Sequence, residues 1–344
     1  MSLKAKDLAK EFGVSTATIS LVLNNKPGVS EKLRREIIHR IKERGFEYML
    51  KEQRGNKGVI VFVVYKRLGS IIDESPFFTY IIEDISNRVN KYGYILNFLF
   101  LNSKMSEEEL EELVNSNGYK GLIIFATEMH VDDLRLFKDS NIPFTLLDNH
   151  FAENDVDSVA INNVQGISKA VNYLMDMGHT EIGYIKSKVR ICSFMEREEA
   201  FKSKLLSCGL KYEKKDIIEV EYSEYRIKEG VKKYLENQRD LPTAFIAEND
   251  FIGCNALGAF QEKGYQIPED ISVIGFDDRP ICTLVTPQLT TIHVPKNIFS
   301  YMAVDLLVSK MEQERACSLK IEVGTSVLKR NSVKDCNRNV KKIS

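Results

Sequence analysis

EFGVSTATISLVLNN, residues 11–25, has the composition of a short helix with an unusual middle. Thr16, Ala17, Thr18 and Ser20 are small side chains, without an acid, a base or a metal ligand among them. Ile19, Val22 and Leu23 give the segment a packing side. Gly13 separates it from a preceding helix marked by Ala5, Leu8, Ala9 and Phe12 at i, i+3, i+4, i+7 spacing. Ser15 is placed as the cap, its hydroxyl ready to accept from an orphan backbone N–H. A third helix opens after the cap Ser30, turns Leu33, Ile37, Ile38 and Ile41 inward and stops at Gly45. Three short helices on one small core, the first two joined by a tight glycine-containing turn, predict an all-α helix-turn-helix head over residues 1–46.

Beyond Gly58 the texture changes. GVIVFVVY (58–65) is a continuous apolar run, as in a strand buried on both faces of a parallel sheet. A helical pattern over 77–91 follows, then YILNFLF (94–100), a helix over 107–113, GLIIFA (121–126), a helix near 131–138 and FTLLD (144–148). After 159–161 the alternation restarts with a helix over 164–177, IGYIKS (182–187) and a helix over 197–206. IIEVEY (217–222), a helix over 225–235, AFIAEND (244–250), a helix to Lys263 and ISVIGFDD (271–278) continue it. A last helix over 296–311 and one strand near 319–329 close the body. Such alternation predicts two α/β lobes with parallel, doubly wound sheets. The expected first lobe is 58–161 with 292–318, and the second is 162–291 with 319–330. Residues 47–57 are expected to be a linker and 331–344 a flexible tail.

The 344 residues, 43% of them apolar, are enough for two or three domains with packed cores. A net charge of −1 conceals an asymmetry: 13 Lys or Arg stand against 7 Asp or Glu up to Lys57, and 35 against 42 after it. A basic module on an acidic body points to a polyanionic partner at one end. The six cysteines include no Cys-x-x-Cys pair and the five histidines do not cluster with them, so neither a structural metal nor a cofactor is expected. The amino terminus has no apolar signal core, and no run approaches the ~20 residues that cross a bilayer. The expected location is the cytoplasm, with reduced thiols.

Several segments together resemble the lactose/galactose repressor (LacI/GalR) family of bacterial transcription regulators. They are GVSTATIS (13–20) with VLNN (22–25), VSEKLRR (29–35), GHTEIGYI (178–185), LPTAFIAEND (241–250), IPEDISVIGFDD (267–278) and TPQLTTI (286–292). They stand in family order and at family spacing from about Lys4 to about Arg330.

The resemblance implies that the second helix enters the major groove of an operator, a double-stranded and pseudo-palindromic DNA. Thr16, Ala17 and Leu21 would occupy base-reading positions, while Ser15, Ser20, Asn24 and Ser30 would face phosphates. Small side chains let a helix approach base edges, and Ala or a Thr methyl can pack on a thymine methyl. Leu21 departs from the polar or basic residue of many relatives; its alternative role is packing on the third helix. The segment FEYMLKEQRGNK (46–57) also departs, because it lacks the Pro-Asn and Ala-x-x-Leu of the family's minor-groove hinge. A charged linker is the expectation there, with Met49 or Leu50 as a substitute wedge.

For the body, the resemblance implies a periplasmic-binding-protein-like pair of lobes with an effector between them. Ligands of open α/β sheets sit beyond the carboxyl ends of the strands. Asp148, Ser193, Arg197, Asn249 and Asp277 fall at such places, and Phe77 and Tyr225 would supply aromatic walls. Carboxylate, amide and guanidinium groups suit a ring of hydroxyls, so a sugar or sugar derivative is the expected effector. The whole is expected to act as a homodimeric repressor. An enzyme is not expected: the Asp277-Asp278 pair sits on irregular backbone where neighbours point apart, and the sequence holds no Walker loop, G-x-S-x-G or zinc-hydrolase helix. His179 is expected to be structural. The alternative reading is a cytosolic sugar receptor without a DNA-reading role.

Overall fold

The computed structural model describes residues 5–23, 28–46, 57–74, 77–115, 118–238, 240–313 and 315–337. The chain divides into two compact units, Met1–Asn56 and Lys57–Ser344. The calls on Asn24 and on the linker wedge at Met49 or Leu50 lie outside the described residues.

The first unit contains α1 (Ala5–Phe12), α2 (Thr16–Leu23) and α3 (Glu31–Glu43). Leu8, Ala9 and Phe12 meet Ile19, Val22 and Leu23, and Ile37 and Ile41 close the core from α3. Gly13, at φ +71°, makes the left-handed turn that separates α1 from α2. Both expected caps form: the Thr18 N–H donates to Ser15 Oγ at 2.9 Å and the Leu33 N–H to Ser30 Oγ at 3.4 Å. The Arg40 guanidinium lies 4.7 Å over the Phe12 ring, tying α3 to α1.

The second unit has two six-stranded sheets. The first lobe is built from β1 (Val59–Lys66), α4 (Ser70–Glu74), α5 (Ile82–Lys91), β2 (Ile95–Asn102), α6 (Glu107–Asn115), β3 (Gly121–Phe125), α7 (Leu134–Asp139), β4 (Phe144–Leu147) and β5 (Ser158–Ile161). The second continues with α8 (Asn163–Asp176), β6 (Ile182–Ser187), α9 (Cys192–Ser207), β7 (Ile217–Val220), α10 (Glu224–Asn237), β8 (Ala244–Ala247), α11 (Asp250–Glu262), β9 (Ser272–Asp277) and β10 (Thr290–His293). The chain then returns to the first lobe with α12 (Lys296–Glu312), which packs on β3, β4, β5 and α5, and with β11 (Lys320–Val323), before β12 (Ser326–Leu328). The orders are β11-β5-β4-β3-β1-β2 and β12-β10-β9-β8-β6-β7, with only β12 antiparallel to its neighbour. The fully buried runs of β3 and β4 follow from helices covering both faces.

Several expectations are corrected here. The segment near 319–329 is two strands in two sheets, because Gly324 and Thr325 interrupt it. β11 pairs in parallel with β5 of the first lobe, where the expected boundaries put it in the second. Ile292 and His293 belong to the second-lobe sheet through β10, so the first lobe resumes only after them. The tail is docked as far as Asn337. Ser332 is buried, its Oγ accepting from Thr290 N–H at 2.8 Å and donating to Val273 O at 2.6 Å; further on, Cys336 N–H donates to Met177 O at 2.8 Å. The helical stretch after β1 also differs, consisting of short α4 and a 3-10 turn at Phe77–Tyr80 before α5.

Candidate functional site

On the first unit, Ser15, Thr16, Ala17 and Ser20 are exposed on α2, and Ser30 is exposed at the start of α3. The buried side of α2 is Ile19, Val22 and Leu23, so the small residues face outward together. Leu21 is half-buried and leans on Gly28, with its Cδ1 3.3 Å from the place a Cβ there would take. It packs against the turn before α3 while keeping one edge open.

In the second unit, six of the seven expected effector residues line one small, partly open space: Phe77, Asp148, Ser193, Arg197, Asn249 and Asp277. The topology explains the convergence. Asp148 follows β4, Asn249 follows β8 and Asp277 ends β9, all at carboxyl ends of parallel strands, while Ser193 and Arg197 lie on α9 after β6. Asp148 and Asp277 hold left-handed backbone, at φ +68° and +107°, which a non-glycine residue adopts at a cost.

Arg197 is the floor of this space. Its guanidinium is buried and donates from Nε to Asn163 Oδ1 (2.8 Å), from Nη1 to Glu248 O (2.6 Å) and from Nη2 to Asp277 Oδ1 (3.3 Å). It also lies 3.6 Å from the Phe276 ring centroid. Burial pushes Asp277 above the usual carboxylate range, opposed by Arg197, Arg279 and Lys296. Burial pushes Asp148 up to about 7, opposed by the Thr127 hydroxyl that donates to its Oδ2 and by Arg197. Near neutral pH the Asp148 carboxyl serves as donor or acceptor, which suits a hydroxyl partner. Asn249 has a double role, its Oδ1 capping α11 through Ile252 N–H (3.0 Å) and its Nδ2 donating to Tyr222 Oη (2.7 Å).

Tyr225 is not brought to this group. It sits in the first turn of α10, 66% exposed, whereas buried Tyr222 lines the space. The signal was present in the sequence: Ile218, Val220 and Tyr222 alternate on the buried side of β7 and its extension. Thr127, Arg279, Ile71, Ile191 and Phe194 also line the space without having been expected. Asp278 turns away from Asp277 to Arg330 (2.6 Å) and His293 (2.7 Å), which hold its carboxyl below the usual range against the effect of its burial. His179 is buried at the end of α8, its Nδ1 2.8 Å from Thr243 Oγ1. The six cysteines are unpaired, with Cys317 exposed, and no metal-binding cluster occurs among the described residues. Among the same residues no helix is long and apolar enough to cross a membrane.

Comparison with known proteins agrees with this arrangement. Residues 4–47 match the family described as "Bacterial regulatory proteins, lacI family", and residues 171–333 match "Periplasmic binding protein-like domain". The HTH-type transcriptional repressor PurR of Pasteurella multocida is 28% identical over 337 residues, covering 96% of this chain and 98% of its own. Catabolite control protein A of Priestia megaterium is 28% identical over 343 residues, covering 97% and 100%. Among solved structures, the complex of the transcriptional regulator CelR with cellobiose superposes at TM-score 0.72 (21% identity, 96% of this chain, 100% of the other). The lac repressor dimer bound to operator and the anti-inducer ONPF superposes at 0.70 (21% identity, 97% and 100%).

Proposed function

The chain belongs to the LacI/GalR family of bacterial transcription regulators, and from that premise we propose a homodimeric repressor whose grip on its operator is set by a sugar or sugar derivative held between the two lobes of the body. It is a DNA-binding regulator, not an enzyme, like the relatives it matches. The observation that carries the effector reading is the gathering of Asp148, Asn249, Asp277 and Arg197 around one space beside Phe77 and Tyr222. Aromatic walls take the apolar face of a sugar ring, and paired donors and acceptors take its hydroxyls. Two cationic and two acidic side chains line the space, which favours a neutral molecule over a phosphorylated one. The complex of CelR with cellobiose, and a LacI-family regulator of Enterococcus faecium with bound ribose, support the same class.

In this reading the effector draws the lobes together about the three strands of chain that join them, near residues 162, 294 and 324, and resets the dimer. Two recognition helices must meet half-sites about 34 Å apart or a multiple of that, so a small change in dimer geometry changes specific affinity. Edge strand β2 supports a dimer: Ile95, Phe98 and Phe100 are exposed on it.

The test pairs two measurements on the full chain. A thermal-shift panel contains D-ribose, D-glucose, cellobiose, ribose 5-phosphate and hypoxanthine; a neutral sugar is expected to raise the melting temperature. A mobility shift on the gene's upstream DNA is expected to change with the same compound. A response to the base alone would overturn the sugar assignment, and a response to ribose 5-phosphate alone would overturn the preference for a neutral one. Absence of a sequence-selective, salt-dependent complex would favour the receptor alternative. Ala17→Leu is expected to alter operator preference more than non-specific binding; unchanged preference would remove α2 from base reading.

A further inference from the structure

Two buried glutamates stand beside the cleft without lining it. Glu128 lies three residues beyond the end of β3 and is 4% exposed. Its Oε2 accepts from the N–H groups of Arg67 (3.1 Å), Leu68 (2.9 Å) and Gly69 (2.7 Å). Its Oε1 accepts from those of Ile71 (2.9 Å) and Ile72 (3.2 Å). Five backbone donors of one loop therefore converge on a single carboxylate. The Arg67 guanidinium is turned elsewhere, to Asp133 at 2.8 and 2.7 Å. Successive N–H groups of this kind form a concavity that takes an anion. Here the chain supplies the anion from its own sequence.

The second lobe repeats the arrangement with different chemistry. Glu248, the residue after β8, is fully buried. Its Oε2 accepts from Ser187 N–H (2.6 Å) and its Oε1 from Arg190 Nη1 (2.8 Å). Arg190 Nη1 also donates to Ser187 O (3.1 Å), and Val189 N–H to Ser187 Oγ (2.9 Å), so the loop leaving β6 is folded onto the carboxylate. The lobes share a strand order, with β1 beside β3 and β6 beside β8. The glutamates are not at the same register, however: Phe125 pairs with Val64 three residues before Glu128, whereas Ala247 pairs with Ile185 one residue before Glu248. The two held loops end in Ile71 and Ile191, both of which line the cleft.

We propose that Glu128 and Glu248 are a matched pair of positioning residues, buried carboxyl groups that clamp the two loops at the cleft and thereby fix where Ile71 and Ile191 stand against the effector. The second half of this rests on the effector reading given above; the clamp itself does not. Removing a buried acceptor strands its donors, which is costlier than the bond is worth, so the loop must move rather than tolerate the loss.

Glu128→Gln separates these statements in the full-length protein. Glutamine keeps the volume and one carbonyl oxygen but turns an NH2 group toward N–H donors. Hydrogen–deuterium exchange of the peptide covering 67–72 is expected to quicken about tenfold or more, while β3, β4 and the second lobe keep their protection. Glu248→Gln is expected to do the converse, loosening 187–191 and leaving 67–72 unchanged. Unaltered exchange at 67–72 in Glu128→Gln would overturn the clamp. So would acceleration spread evenly over the first lobe, because that marks a residue holding only the fold. The second readout is the thermal shift given by D-ribose, D-glucose or cellobiose, whichever stabilises the wild type. Its loss in Glu128→Gln supports the positioning role, and its survival at full size in a protein with a loosened loop overturns that role. If no sugar of the panel shifts the wild type, the effector reading has failed, and exchange still decides the clamp.

Discussion

Arg197 carries more of the body than its place in a ligand site suggests. Its guanidinium joins α9 to Asn163, to the end of β8 and to Asp277, and it stacks on Phe276. From sequence alone, Arg197→Ala is expected to silence the ligand response and leave the fold untouched; the geometry contradicts the second half. The variant leaves Asp277 buried beside a missing partner, a change that costs about 3–5 kcal/mol. Asp277 already sits above the usual carboxylate range because of its burial, so acid relieves the loss by protonating it. The melting deficit of Arg197→Ala is therefore expected to be smaller at acidic pH than at pH 8, and a pH-independent deficit would show that the ion pair is not its source. Asp148 gives the complementary case. Its carboxyl is raised in the fold from 3.8 to about 7, so the unfolded chain releases the proton first. This group imposes no penalty below 3.8, a growing one as pH rises toward 7, and a constant one above. Asp148→Asn removes a penalty of at most about 4 kcal/mol. Melting temperatures of the two proteins are expected to diverge through that window in favour of Asn, while the sugar response of the variant falls.

Elements differ in how far they could be read from sequence, and the reason lies in what each is packed against. Helices of the head were legible because their caps and apolar spacing are local: Ser15 and Ser30 form the hydrogen bonds their positions promised. The strands of the two sheets were legible because runs such as GVIVFVVY are buried on both faces. Residues 319–329 were not, since pairing with β5 or β10 is a tertiary choice that a short alternating stretch does not announce. Tyr222, by contrast, was legible, since it continues the buried alternation of β7, whereas Tyr225 begins an exposed turn. Glu128 was missed for a further reason: its partners are backbone donors about sixty residues earlier, which no side-chain motif records. The docked tail permits a direct check. Ser332 satisfies Thr290 N–H and Val273 O inside the second lobe. Ser332→Ala is expected to cost about 1–3 kcal/mol by stranding a buried donor and acceptor. Chemical denaturation with an unchanged slope measures it, and a loss well under that range would mean water replaces the hydroxyl.

At the scale of the whole molecule, regulation requires that a small event in the body alter how two heads reach one duplex. A monomer has no means to do this, because one head sees one half-site wherever its lobes stand. On the proposed reading the dimer surface is where the effector signal becomes a change in DNA affinity, and edge strand β2 is the place we assign to it. A parallel sheet ends there with Phe98 and Phe100 exposed on its edge strand, a combination that folded proteins ordinarily cover. Phe98 also packs edge-on to Phe62 and Phe100 to Phe78, so the exposed rims are held in place by the core. Replacing both with Asp puts like charges opposite one another across a two-fold contact, and each must be desolvated if the contact is to form. The double variant Phe98→Asp, Phe100→Asp is expected to sediment as a monomer, to keep its thermal shift with the sugar, and to bind a two-half-site operator no better than a single half-site. A variant that stays dimeric would move the interface off β2. One that becomes monomeric yet binds the full operator with undiminished affinity would show that spacing between the heads does not set the specific complex.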